Sequence, residues 1–317
     1  MYKIKLNAWE KWLQEEILVH LPMYAKVSIN SFLGFRHNQV PVRAAALTYT
    51  TLLALVPFLV ILTAIAGWLG YLNLVLEFLP DLNQTLGAKL PVDQIVAIID
   101  QAQRVELKNM GALGSIGLFL SFVLAMSNLE KAMNIIWNVE KNRNIFKRIG
   151  LYIPFLFFLC LFLLLFSWML VKVKHYLHTL FEGNLIHRLE QGVQLGTLFL
   201  IMAGLTWLFY VVLYNLVPNT KVRWDSCLLG ASVTTPILYG LGYLVGLFGS
   251  YLFNSYSAVY GSLAIFPLFM LVLYISWVVV LYGAVLTQVH QEAKVLKTQA
   301  SLPTTSPLDH DSTLFST

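Results

Sequence analysis

Charge is scarce in this chain. Asp, Glu, Lys and Arg make up 12% of its 317 residues, about half of the ~25% that soluble domains carry. Between residues 226 and 291 there is none at all. Water is excluded as the solvent of such a stretch. As one helix, at about 1.5 Å per residue, it would reach about 100 Å, roughly three times the ~30 Å hydrocarbon thickness of a bilayer. It must therefore fold back, and the polar cluster Asn254, Ser255, Tyr256 and Ser257 is where the turn is expected. Cysteine is also rare: Cys160 and Cys227 both sit in apolar runs, which argues against a disulfide framework and makes them small hydrophobes. The first 43 residues lack a compact apolar stretch followed by a small-residue cleavage site, so the first spanning helix is expected to direct insertion. The chain has no Gly-rich phosphate loop, no His/Asp metal nest and no Ser-His-Asp set. Nuclease or hydrolase chemistry is not expected, and no cofactor is called for.

What remains is apolar: 58% hydrophobic residues and a mean hydropathy of +0.69. Charge-free stretches at 44–76, 109–129, 149–171 and 191–220 precede the long one. They predict an all-α polytopic membrane bundle of six transmembrane helices, with cores near 44–67, 111–130, 150–171, 195–217, 227–250 and 260–288. The second is the weakest, diluted by Gly111, Gly114, Ser115, Gly117 and Ser121. Most Lys and Arg fall on one side. Lys3, Lys5, Lys11, Lys26, Arg36 and Arg43 lie in the N-terminal arm, and Lys131, Lys141, Arg143, Lys147 and Arg148 lie between the second and third spans. Lys221, Arg223, Lys294 and Lys297 join them, whereas the opposite side holds only Lys89, Arg104, Lys108, Lys172, Lys174 and Arg188. By the positive-inside rule both termini are expected in the cytoplasm.

The organisation expected is a cytoplasmic arm over 1–43, a membrane domain over 44–290 and a cytoplasmic, disordered tail over 291–317. Within the arm, Trp9, Trp12, Leu13, Ile17, Leu21 and Tyr24 recur near every 3.6 residues. This amphipathic N-terminal helix either lies in the headgroup region or docks on the bundle. In the external loop after the first span, Pro91 and Asp93 open a helical pattern with Ile95, Val96, Ile98, Ile99 and Ala102.

The first span has an unusual opening, Arg43-Ala-Ala-Ala-Leu-Thr-Tyr-Thr-Thr-Leu-Leu-Ala-Leu-Val-Pro57. Ala44, Ala45 and Ala46 permit close helix approach. Thr48, Tyr49, Thr50 and Thr51 bring hydroxyls that need partners inside a bilayer. Pro57 frees the carbonyl near Leu53 and is expected to kink the helix. Such a helix is either a pathway wall or a packed bundle interior.

This opening resembles the YihY/BrkB family of bacterial inner-membrane proteins, whose signature is an Ala-Ala-Ala-Leu-aromatic-Tyr-Thr-Leu-Leu run followed by proline. Asn128, Ala132, Asn134, Ile135 and Trp137 are similar to its segment after the second span, and Pro218, Trp224 and Gly230-Ala231 to its fourth-to-fifth connection. Tyr260-Gly261-Ser262-Leu263-Ala264, Tyr274, Trp277 and Tyr282-Gly283-Ala284 resemble its last span, although Val285 stands where the family usually has an acidic residue. The similarity covers roughly residues 28 to 292. It implies six spans, cytoplasmic termini and a bacterial inner membrane. It also implies a name history that includes a virulence factor and a ribonuclease label now regarded as mistaken, and a connection of some members with moving lipid or lipopolysaccharide precursors. No catalytic set comes with it.

Several constellations admit two readings. Glu130, Asn134 and Asn138, at i, i+4 and i+8, form a polar stripe that either lines a substrate mouth or bonds neighbouring helix ends. Gly242, Gly246 and Ser250 permit close packing within the protomer or a homo-oligomer face. His175, His178 and His187 with Glu182 and Glu190 match no strong metal spacing and read as interfacial polarity. Lys141, Arg143, Lys147 and Arg148 with Phe146 are the one cluster suited to RNA, but cytoplasmic topology explains them and no nucleic-acid partner is expected.

The function expected is the handling or translocation of an amphiphile, a lipid or a lipopolysaccharide precursor. Its candidate lining is Thr48, Tyr49, Thr51, Pro57, Glu130, Asn134, Tyr210 and Tyr274. Five of the six spans lack any Asp, Glu, Lys or Arg in their cores, which removes the usual ion relay and leaves hydroxyls and aromatics. The competing reading is a non-transporting scaffold for envelope assembly. Membrane lipids are partners in either case.

Overall fold

The computed structural model describes residues 23–68, 111–139, 143–180, 185–260 and 265–300, and the described residues form seven helices and no strand. These are α1 (Met23–His37), α2 (Val40–Trp68), α3 (Gly111–Ile136), α4 (Ile145–Leu180), α5 (Leu185–Leu216), α6 (Trp224–Tyr260) and α7 (Ile265–Ala300). The amphipathic helix expected from residue 8, the helical pattern expected from residue 91 and the tail beyond 300 lie outside the described residues.

Helices α2 to α7 correspond to the six sequence-predicted spans. They run from 26 to 37 residues, about 40–55 Å at the usual rise, so even the shortest exceeds the ~30 Å hydrocarbon layer. Among the described residues, four segments are long and apolar enough to cross a membrane, namely Ile145–Leu170, Gly192–Leu216, Trp224–Gly249 and Phe266–Gln299, and Val40–Leu55 is a shorter apolar helix. Such helices are apolar all round because lipid, not water, meets their outer faces.

Three local features depart from the sequence reading. The turn expected at Asn254–Ser257 is not there. Helix α6 continues through these residues to Tyr260 and α7 begins at Ile265. The helix absorbs this polar run because a hydroxyl can bond its own preceding turn, as Ser255 Oγ does to the Tyr251 carbonyl at 2.9 Å. Helix α7 also runs on to Ala300, past the predicted end of the span at 288. Finally, α1 occupies a part of the arm for which no helix was expected. It buries Val27 and Ser31, one turn apart, and at Gly34 approaches α7 so closely that an added Cβ would stand 2.9 Å from Val285 Cγ1. Val285, which stands where the resemblance implies an acidic residue, is thus an apolar contact.

Around the bundle, neighbouring helices follow the order α3, α2, α7, α6, α5, α4, with lesser contacts joining α4 back to α3 and α2. Helix α7 also packs on α1 and α3. The junction of α6 and α7 is built on two reciprocal glycines. A Cβ on Gly230 would run into Thr287 Oγ1 and come within 2.8 Å of the Gly283 carbonyl, while a Cβ on Gly283 would run into Thr234 and the Tyr214 hydroxyl. Gly230 and Thr234 are one turn apart on α6, as are Gly283 and Thr287 on antiparallel α7. Each glycine therefore faces the other helix's threonine. Of the three opening alanines of α2, only Ala44 is buried; Ala45 and Ala46 are exposed. Helix α2 passes Pro57 without interruption, and the Pro57 side chain lies outside those described.

Candidate functional site

Polar side chains gather where α3 ends, α4 begins and α5 turns into α6. Residues 217–223 are not helical, so their carbonyls need partners from elsewhere. Arg143 supplies them from the α3–α4 connection. Its Nη2 donates to the carbonyls of Leu216 (3.0 Å) and Pro218 (2.7 Å), its Nη1 to that of Val217 (3.0 Å) and its Nε to Asn219 Oδ1 (3.1 Å). A planar guanidinium with five N–H donors suits such a fan of acceptors, and its charge complements the negative end of α5. From α3, Asn134 Oδ1 accepts the Asn219 N–H at 2.7 Å.

On the other side the same connection is tied to α7. Gln291 accepts the Arg223 N–H at 2.8 Å and donates to the Lys221 carbonyl at 3.2 Å. Asp225 pairs with Arg223 and with Lys294, and Ser226 Oγ lies 3.0 Å from His290 Nδ1. Beneath it, Asn215 Nδ2 donates to the Val222 carbonyl at 3.2 Å and lies 3.9 Å from the buried Cys227 sulfur.

One turn above Asn134 sits Glu130, fully buried on the same face of α3. Its Oε2 accepts a hydrogen bond from the Tyr152 hydroxyl and lies 3.5 Å from Arg148 Nε. Its Oε1, Asn134 Nδ2 and Arg148 Nε lack hydrogen-bond partners among the described residues. Asn138, expected to extend this stripe, does not. Helix α3 ends at Ile136, and Asn138 takes the left-handed backbone (φ 50°) of a helix cap. The Val139 N–H reaches back to the Asn134 carbonyl and the Asn138 N–H to the Ile135 carbonyl, the paired bonds of a Schellman motif with asparagine in the place of the usual glycine.

The α5–α6 seam carries a ladder of polar groups. Tyr214, buried between three helices, bonds Thr234 on α6 at 2.7 Å and the Val280 carbonyl on α7 at 2.9 Å. One turn back Tyr210 leans on it at 6.2 Å between ring centroids. Next come Thr206 with Tyr239 (3.2 Å) and the Trp207 indole on the exposed Ser232 hydroxyl (3.0 Å). By contrast the α4–α5 seam carries an aromatic cluster, with Phe158 and Phe162 stacked on Phe209.

The other candidate residues are distributed rather than gathered. Thr48 is buried on α2 and bonds its own helix at Ala44, while Tyr49 points outward. Thr51 accepts the Trp277 indole N–H at 3.0 Å across the α2–α7 seam, where Tyr274 is partly buried. Trp277→Phe should therefore cost about 1 kcal/mol, one net hydrogen bond, read as unfolding free energy in detergent. Gly242 lies on the exposed side of α6 with nothing within 4 Å of an added Cβ, and the Ser250 side chain lies outside those described. The side chains of His175, His178 and His187 also lie outside those described. Among the described residues no three His, Cys, Asp or Glu come together.

Sequence reasoning missed Tyr152, Asn219, Asp225 and Gln291, and took Arg143 as a topogenic cation in a cluster that could otherwise touch RNA. The one available signal was position: Arg143 and Asn219 stand in connections at the same end of a six-helix bundle.

A family model described as Virulence factor BrkB matches residues 31–306. Among curated proteins the chain is similar to a UPF0761 membrane protein of Mannheimia succiniciproducens, at 31% identity over 83% of this chain and 88% of the relative. It is similar as well to one of Actinobacillus pleuropneumoniae (29%, 84% and 92%) and one of Tolumonas auensis (30%, 79% and 80%). No solved structure matches.

Proposed function

The chain belongs to the virulence factor BrkB family of membrane proteins, and from that premise we propose that it resides in a bacterial inner membrane with both termini cytoplasmic and moves an amphiphile, a lipid or lipid precursor, along the α5–α6 seam. The distribution of Lys and Arg supports the orientation. The observation that carries the proposal is the polar ladder. Thr206, Tyr239, Trp207 and Ser232 place hydroxyls and an indole N–H in helices otherwise solvated by lipid, and the Trp207–Ser232 pair is exposed. A headgroup can exchange hydrogen bonds with such groups while its acyl tails stay in the bilayer. The scaffold reading also has an observation in its favour: Thr48, Glu130 and Asn134 are all buried, so they form no open mouth. RNA is disfavoured because the donors of Arg143 are committed to the protein's own carbonyls.

The test is a lipid-movement assay. Full-length protein is reconstituted into phosphatidylethanolamine/phosphatidylglycerol vesicles carrying a fluorescent lipid, and dithionite is added outside. Protein-free vesicles bleach only their outer leaflet. Vesicles holding the protein are expected to bleach further, and Ser232→Leu is expected to slow that phase about fivefold, the worth of one ~1 kcal/mol hydrogen bond. Bleaching identical to protein-free vesicles rejects the carrier and leaves the scaffold.

A further inference from the structure

We infer that residues 217–225 are a strap that closes one end of the bundle and must be released for that end to open, with Arg143 as its positioning residue; this rests on the carrier reading. In the order of neighbouring helices, α5 and α6 stand next to α4 and α7, not next to α3. The connection between them is nevertheless bonded to the end of α3 by Asn134 and to the α3–α4 connection by Arg143, while Gln291 and Lys294 hold it to α7. It thus crosses the mouth of the ring. Its anchorage is of a kind that releases. Residues 217–223 are not helical, and the partners of Arg143 are three main-chain carbonyls and the Asn219 side-chain oxygen, acceptors that water can take over at a bundle end. The tie to α7 runs through a half-exposed Arg223 and a partly exposed Asp225. Val217 and Val222 of the strap are themselves buried in the apolar core, but that core continues beneath them through Met133, Ile136, Leu281 and Val285, so release of the strap uncovers its edge without by itself dissolving the bundle.

Two native thiols report on this directly. Cys227, in the first turn of α6, is buried against Asn215 beneath the strap, and Cys160 is buried in α4. Full-length protein in native membranes is treated with N-ethylmaleimide, and modification at each cysteine is followed by mass spectrometry. In Arg143→Ala, Cys227 is expected to react at least tenfold faster than in the unaltered chain while Cys160 keeps its slow rate. Asp225→Asn, which loosens the opposite side, should act in the same direction and serves if Arg143→Ala does not accumulate. Arg143→Lys should behave like alanine, because a single ammonium cannot span four acceptors. An unchanged Cys227 rate in these variants overturns the strap. So does a joint rise at Cys160 and Cys227, which would make these bonds a general staple of the bundle. No lipid movement is measured here, so a Cys227 response in a protein that fails the dithionite assay removes the carrier reading and leaves the releasable strap standing.

Discussion

Gly283→Ala is expected to destabilise the bundle by about 3 kcal/mol, the upper range of overpacking in a closed core, and to lower Tm by roughly 5–10 °C in detergent. The added methyl would enter the space held by Thr234 Oγ1 and the Tyr214 hydroxyl. Neither can withdraw freely, because Tyr214 is bonded both to Thr234 and to the Val280 carbonyl. Separating α6 from α7 to admit the methyl also loosens the contact on the far side of the same crossing, where Gly230 faces Thr287. Gly230→Ala is expected to behave alike, and Thr287→Ala should not rescue it, since the Gly283 carbonyl remains 2.8 Å from the new Cβ. Gly242→Ala carries the opposite sign. Its Cβ meets open space, so the lower backbone entropy of alanine should stabilise the helix by about 0.5–1 kcal/mol. A loss of stability at Gly242 as large as that at Gly283 would contradict this account of the crossing.

The difference between these two glycine positions shows how much of the molecule could be read in advance. Long runs without charge predict helices, since only a fully hydrogen-bonded backbone crosses lipid, and each of the six predicted spans falls on a helix among the described residues. The same logic misplaced the α6–α7 turn, because a serine in a membrane helix can be satisfied within the helix, as Ser255 is, and need not mark its end. Small residues at four-residue spacing occur at Gly242-Gly246-Ser250 and also at Gly230-Thr234 and Gly283-Thr287. Composition alone does not separate a crossing from a lipid-facing stretch. Helix α1 was hidden because its fully buried residues among those described are only Val27 and Ser31, with Gly34 and Phe35 partly covered against α7, too slight a pattern inside a charged arm. The strap was least legible of all. Arg143 reads like any loop cation, and the carbonyls it holds have no side-chain signature. Glu130 and Asn134 did stand out, because an ionisable group on an otherwise apolar helix is costly wherever it points.

That cost can be measured. Glu130 is fully buried (0% exposed) whereas Arg148 is 19% exposed, so the two ends of the ion pair are not equivalent. Glu130→Gln should be mild. The amide keeps an acceptor for the Tyr152 hydroxyl, and Arg148 has a route to water at the helix end. Arg148→Met should be severe, about 3–5 kcal/mol, because a carboxylate would remain in the interior with one hydroxyl for support. Adding Glu130→Gln to Arg148→Met should then recover most of the loss, since the remaining amide carries no charge and still bonds Tyr152. The four unfolding free energies in detergent form a double-mutant cycle, which isolates the coupling of the pair. Additive losses would mean that Arg148 does not compensate the Glu130 charge and that the unpartnered Oε1 belongs to a site hydrated well enough to hold a carboxylate alone.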